Sequence, residues 1–432
     1  MLLRILCLFF LFLSSGLYAS ELSFSQTIQE VSQNNKEVQI AYFKMQQAKE
    51  KVNSAWSAVL PSLSFQGNYS KLHSYVYQRT YDIYTTGISL SQIVFSQEVF
   101  AALKAADLAY KMAYQEYVAV KQAQIYKTIM AFYGVLKAEK LQALAYQSVD
   151  VLAGHKRQID EMYKVGLVTR LDKLNAEVSL RAMKTNLLNA QKYYKMAVLQ
   201  FNYLLGKEKQ NDGVFLLDDY KKDNAVFYDT NYALETALKT RADLQILNIL
   251  EALADINLEV ANNSRWPSLY FSGSYGYMDN QSFKFLADAN KDWSMALTMT
   301  LPIYQGGSLD SKKVDAGLNK KQIEVQIASL KEGIKVQIAE ALLSIDIAQQ
   351  GIKDAQIGVR LAQQSLSETE EKFKLGAVTS QEVLNAELAL RQAETNFINA
   401  QFDDILANFK LKQAMGLDDF EFETQKNKYA KK

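Results

Sequence analysis

Tyr163-Lys-Val-Gly-Leu-Val-Thr-Arg-Leu-Asp-Lys-Leu-Asn-Ala-Glu177 recurs, without a gap, as Phe373-Lys-Leu-Gly-Ala-Val-Thr-Ser-Gln-Glu-Val-Leu-Asn-Ala-Glu387. The agreement continues at Leu180-Arg181 and Leu390-Arg391, at Thr185-Asn186 and Thr395-Asn396, and at Asn189-Ala-Gln191 and Asn399-Ala-Gln401. It ends on Gly206 and Gly416, at an offset of about 210 residues. A fixed offset held over so many identities marks an internal duplication. Upstream, Pro61-Ser-Leu-Ser-Phe-Gln-Gly-Asn-Tyr69 answers Pro267-Ser-Leu-Tyr-Phe-Ser-Gly-Ser-Tyr275, and Ile93-Val-Phe95 falls on Pro302-Ile-Tyr304. Both halves therefore share one plan: helix, hairpin, long helix, turn, helix.

The duplication divides the chain into five stretches. A leader occupies 1–19. The first repeat spans 20–206, with its hairpin at about 62–95 and its turn at 166–169. A linker covers 207–230. The second repeat spans 231–416, with its hairpin at about 268–302 and its turn at 376–379. A polar tail, 417–432, follows. Met1 to Arg4, the apolar run Ile5 to Leu13, and small residues up to Ala19 have the order of a secretory signal, which predicts an exported protein. The lone cysteine, Cys7, falls inside that signal, so no disulfide is expected in the mature chain.

In the hairpins the apolar residues alternate. Leu63, Phe65 and Tyr69 share one parity against Ser62, Ser64, Gln66 and Asn68, as do Trp293, Met295, Leu297, Met299 and Leu301 against Ser294, Ala296, Thr298 and Thr300. Strands of about 9–11 residues with this pattern fit a membrane β-barrel. They fit equally a half-buried hairpin on a soluble domain. Residues Gln78 to Asp82 and Asp279 to Lys291 read as loops between strands.

From about Gln97 to Lys164 and about Gly307 to Leu375 there is no proline, and apolar residues recur at three and four, as in Ile323, Ile327, Leu330 and Ile334. At 1.5 Å per residue such a helix is about 100 Å long and needs neighbours along its length. Helices of about 33 to 35 residues are expected at Phe24 to Ala58 and Asn231 to Asn263, and returning helices at Asp172 to Leu205 and Glu382 to Met415. Two hairpins supply four strands, too few to close a barrel, and open strand edges are not tolerated in lipid. Three copies would supply twelve.

Composition narrows the function. The 432 residues carry 48 Lys and Arg against 47 Asp and Glu, a formal charge of +1, which offers no basic surface for nucleic acid. His73 and His155 stand far apart and leave no ligand cluster for a metal. The chain shows no phosphate loop, nucleophile elbow or paired carboxylates, so neither a catalytic residue nor a cofactor is expected.

The duplicated plan, the turns Val165 to Asp172 and Leu375 to Glu382 with their continuations Leu174-Asn-Ala176 and Leu384-Asn-Ala386, and Leu301-Pro-Ile-Tyr-Gln-Gly-Gly307 together resemble the TolC-type outer-membrane efflux family. The resemblance covers nearly the whole mature chain. It implies a mainly α chain with a membrane β-hairpin pair, whose homotrimer builds an α-helical tunnel across the periplasm and a shared twelve-stranded barrel in outer-membrane lipid. It further implies a passive exit duct for efflux or type I secretion, energised by an inner-membrane transporter through a periplasmic adaptor. The competing class is an exported coiled-coil structural or adhesive protein that forms no pore.

Gly166 and Gly376 suit the left-handed residue that ends a helix, and Thr169 with Asp172, like Thr379 with Glu382, has the spacing of a capping box. These residues turn the chain. By the resemblance, the tips Gly166, Leu167, Val168, Thr169 and Gly376, Ala377, Val378, Thr379 also contact the adaptor. Glu382 and Asn385, with Asp172 and Asn175 at the matching places of the first repeat, would ring the periplasmic entrance. Asn385 departs from the family's second acidic ring, which halves the expected charge. Three copies of Glu382 at a constriction favour cations, and Arg170 is placed to pair with Glu382 on an adjacent turn as a latch.

Overall fold

A computed structural model describes residues 21–76, 78–207, 215–217, 229–279 and 291–417. The expected leader, most of the linker, residues 280–290 of the loop expected at Asp279 to Lys291, and the tail beyond Leu417 lie outside the described residues, while Asp279 and Lys291 themselves belong to strands. Chain order is β1 (Glu21–Ser23), α1 (Phe24–Asn34), α2 (Lys36–Ser57), β2 (Ser62–Ser74), β3 (Arg79–Phe95), α3 (Gln97–Lys164) and α4 (Arg170–Leu204). It continues with β4 (Phe215–Leu217), α5 (Thr230–Thr240), α6 (Ala242–Asn262), β5 (Ser268–Asp279), β6 (Lys291–Thr300), α7 (Ser308–Lys374) and α8 (Ser380–Ala414). The chain divides into two compact units, and both draw on both repeats.

One unit, 41–118 with 242–331, holds an antiparallel sheet in the order β2-β3-β5-β6. Two of its pairings are the hairpins. The third, β3 with β5, joins the repeats through Gly87 opposite Gly276, where an added Cβ on Gly276 would stand 2.9 Å from the Thr86 carbonyl oxygen. Among the described residues β2 and β6 each pair on one side only. On one face serine hydroxyls meet across strands, Ser62 with Ser91 and Ser64 with Ser89 at 2.7 Å, Ser274 with Ser294 at 2.8 Å. On the other, Leu63, Phe65, Trp293, Met295, Leu297 and Met299 are exposed apolar side chains. Arg79 to Asp82, expected in a loop, belong to β3 and pair with Lys71 to Ser74, and the strand reaches 17 residues. The turn sits earlier, where Gln78 takes a φ of 47°. Backbone pairing carries this segment regardless of its polarity.

In the other unit, 1–40 with 119–241 and 332–432, the described helices pack around an aromatic core. Phe24 of α1 meets Phe132 of α3 edge-on at 5.5 Å and Phe409 of α8 at 5.6 Å, while Phe132 meets Phe201 of α4 at 6.1 Å. Ile28, Val31, Ile125, Ile129, Leu205 and Phe402 are among the other members of the cluster. β1 pairs in parallel with β4 at its margin.

Each opening helix, expected as continuous, is broken at equivalent points, at Asn35 between α1 and α2 and at Arg241 between α5 and α6. The cause is the end of the returning helix. Asn35 donates its amide to the Leu204 carbonyl oxygen at 2.7 Å while its own side-chain oxygen accepts from the Glu37 and Val38 amides. In the second repeat Thr240 Oγ1 donates to the Met415 carbonyl at 2.5 Å and Arg241 to that of Ala414 at 3.1 Å. These tertiary bonds capture backbone groups that helix ends leave free.

Candidate functional site at the helical turns

Both turns reverse the chain by one device. The Leu167 amide donates to the Met162 carbonyl at 2.9 Å and that of Gly166 to Tyr163 at 3.1 Å; Ala377 to Lys372 and Gly376 to Phe373 repeat this at 2.9 Å each. This pairing needs a left-handed residue, and Gly166 and Gly376 have φ of +79° and +72°. Thr169 then caps α4 with both arms of a capping box, Asp172 accepting from the Thr169 amide at 2.9 Å. Thr379 caps α8 through its hydroxyl alone, which also donates to Glu382 at 3.3 Å.

The tip residues Gly166, Leu167, Thr169, Gly376, Ala377 and Thr379 are exposed, and Val168 and Val378 half-buried. Leu167 is 71% and Leu375 83% exposed, with Val165 at 70%, so apolar side chains stand in solvent at both tips. Glu382 and Asn385 are exposed and on one side of α8; Gln381 donates to Asn385 at 3.0 Å. Asp172 and Asn175 are half-buried on α4. Arg170 is exposed, and among the described residues no ion pair joins it to Glu382 within the chain; Glu382 is engaged with its own cap.

The two helix pairs behind these turns are joined differently. Between α3 and α4, Lys156 holds Asp160 at 2.5 Å and Glu177 at 3.7 Å, and Lys173 reaches Asp160 at 3.3 Å. The bond from Lys156 holds Asp160 below its ordinary pKa, and the bond from Arg181 does the same for Glu177. At the matching positions α7 and α8 carry Leu366 and Val383, which pack with Leu390 in an apolar cluster. Deeper in α8, Arg391 pairs with Glu394 at 2.7 Å and Glu387 at 3.4 Å, while burial pushes the Glu387 carboxyl up. Arg391 also lines a groove of about 480 Å³ between α3, α4 and α8. Among the described residues no group of three or more potential metal ligands occurs, and no helix is long and apolar enough to cross a membrane.

A duplicated chain with four amphipathic strands and two helical pairs ending in exposed turns defines one subunit of an outer-membrane channel-tunnel. The chain belongs to the outer membrane efflux protein family, whose sequence model matches residues 27–207 and 233–417. It is 22% identical over 408 residues to the outer membrane protein TolC of Vibrio cholerae, covering 94% of this chain and 92% of that one. To TolC of Escherichia coli K12 it is 25% identical over 405 residues, covering 90% and 81%. The crystal structure of the Campylobacter jejuni CmeC outer membrane channel superposes with a TM-score of 0.79 at 17% identity, over 93% of this chain and 88% of that one. The expected fold class is the observed one, and the protein is an efflux channel of the outer membrane.

Proposed function

We infer that three copies assemble into a passive exit duct of a tripartite efflux or type I secretion system and that the two turns form its periplasmic entrance. In this reading the chain performs no chemistry. Its single strand edges on β2 and β6 pair with those of neighbouring copies, closing a twelve-stranded barrel. Along α7 the exposed residues Val314, Leu318, Val325, Val336, Leu343 and Ile347 recur at four, seven and eleven, a seam suited to a neighbouring helix.

Docking of a periplasmic adaptor, and through it an inner-membrane transporter, is assigned to Gly166–Thr169 and Gly376–Thr379. The observation that carries this is the exposure of Leu167 within the first tip and of Leu375 beside the second, apolar surface with no use inside the subunit. Glu382, Asn385, Asp172 and Asn175 form the constriction behind the tips, and Arg170 of one turn pairs with Glu382 of an adjacent copy as its latch. A Leu167→Asp, Leu375→Asp double variant tests the docking surface. It should reach the outer membrane in normal amount yet fail to restore dye efflux to cells lacking the wild-type channel. Undiminished efflux would remove the tips from the docking surface.

A further inference from the structure

One polar contact outside the turns ties the two repeats together at this end. His155 of α3 stands with Nε2 3.2 Å from Oγ of Ser380, the first residue of α8. Ser380 is buried and follows the cap Thr379, so the ring lies against the positively polarised end of α8. The Phe373 ring of α7 borders it at 6.4 Å between centroids. Next to it, Leu152 of α3, Leu180 and Met183 of α4 and Leu384 of α8 close an apolar cluster. The start of α8 is thus fixed to α3 by one apolar cluster and one hydrogen bond.

The surroundings give the imidazole no counter-charge. From α7 it meets a phenyl ring, and the flanking Glu371, Lys372 and Lys374 are exposed. From α8 it meets a hydroxyl, with Glu382 exposed and engaged at the cap. The charges at this level of α4, Lys173 and Glu177, are committed to Asp160 and Lys156, and on its own helix Arg157 is exposed. Burial alone acts on the ring and holds its pKa below the ordinary histidine range. A folded-state pKa lowered in this way means that the neutral ring belongs to the packed arrangement. The contact is at full strength above the ordinary value of about 6.5 and is lost as pH falls through the lower folded value. Protonation places a cation beside a helix N-terminus and in a half-buried site, and both effects oppose the contact.

The geometry points to His155 as an acid-responsive latch: its protonation releases the start of α8 from α3 and favours opening of the tunnel entrance. This rests on the assignment of the two turns to the entrance. Hydrogen exchange therefore reads the latch itself, and conductance reads its consequence.

Purified full-length protein, wild type and His155→Gln, is compared between pH 7.5 and 5.5, above the ordinary carboxylate range. After correction for intrinsic exchange chemistry, amides of residues 380–386 in the wild type should exchange about fivefold faster at the lower pH, through the burial and helix-end penalties on the charged ring. Open probability in planar bilayers should rise over the same interval. In the His155→Gln variant the side chain offers a hydrogen-bonding amide without a titrating group, so both responses should be flat. Ser380→Ala, a milder change, should exchange faster already at pH 7.5 and respond less to acid. Equal pH responses in wild type and His155→Gln would overturn the latch. Exchange that responds without a change in open probability would overturn its role in gating.

Discussion

Four aligned glycines end the four helices of the two hairpins, all with positive φ, yet their surroundings differ. At Gly166 and Gly376 an added Cβ would meet nothing within 4 Å. At Gly206 it would lie 2.5 Å from the Asn34 carbonyl oxygen, and at Gly416 3.0 Å from Arg241 Cα and Cγ. Alanine at Gly166 should therefore cost only the left-handed conformation, about 1 kcal/mol. Alanine at Gly206 adds a clash with backbone that cannot rotate away. Relief requires the α1–α2 junction to move, against the Asn35–Leu204 bond and the Phe24 core, which adds about 1–3 kcal/mol. The sum is about 2–4 kcal/mol, with Gly416→Ala in between. The assay is helical circular dichroism of detergent-solubilised protein at one fixed heating rate, because such assemblies unfold irreversibly. Gly206→Ala should lower the midpoint at least twice as far as Gly166→Ala. Equal shifts, or the reverse order, would refute the docked junction.

Glu382→Ala should lower cation over anion selectivity in planar bilayers, and Asn385→Asp, which restores a second acidic ring, should raise it; unchanged reversal potentials in both would remove these residues from the constriction. Leu297→Arg on the apolar face of β6 should cost about 2–4 kcal/mol near the bilayer midplane and reduce assembled channel in the outer membrane. Ser294→Arg, on the hydroxyl face, should assemble and narrow the conductance instead; equal assembly of the two would invert the assigned faces.

The repeat and its turns were legible because a helical hairpin of this kind needs a left-handed glycine followed by a cap at fixed spacing, and the chain writes both twice. The strands were legible from their period of two. Legibility stops where long-range contacts decide. The break at Asn35 carries only a weak local signal, an asparagine able to cap the next helix, while Val31 and Val38 keep the helical spacing on either side; the partner that fixes it is a carbonyl 169 residues away. For His155 the sequence shows only a histidine far from its one fellow, because its partner is 225 residues distant. Arg79 to Asp82 read as a loop because the segment is polar and cross-strand pairing cannot be read from one strand. The ionic Lys156–Asp160–Lys173 join was accessible in principle. Setting Lys156 against Leu366 and Lys173 against Val383 at the repeat offset shows that the two helix pairs use different chemistry.

The sheet ends on β2 and β6, each paired on one side among the described residues, so one chain would supply a third of a closed twelve-stranded barrel. Light scattering of the detergent-extracted protein, corrected for bound detergent, counts the chains in the particle. A particle of three chains is expected. A monodisperse monomer would contradict it and favour an exported coiled-coil protein without a pore.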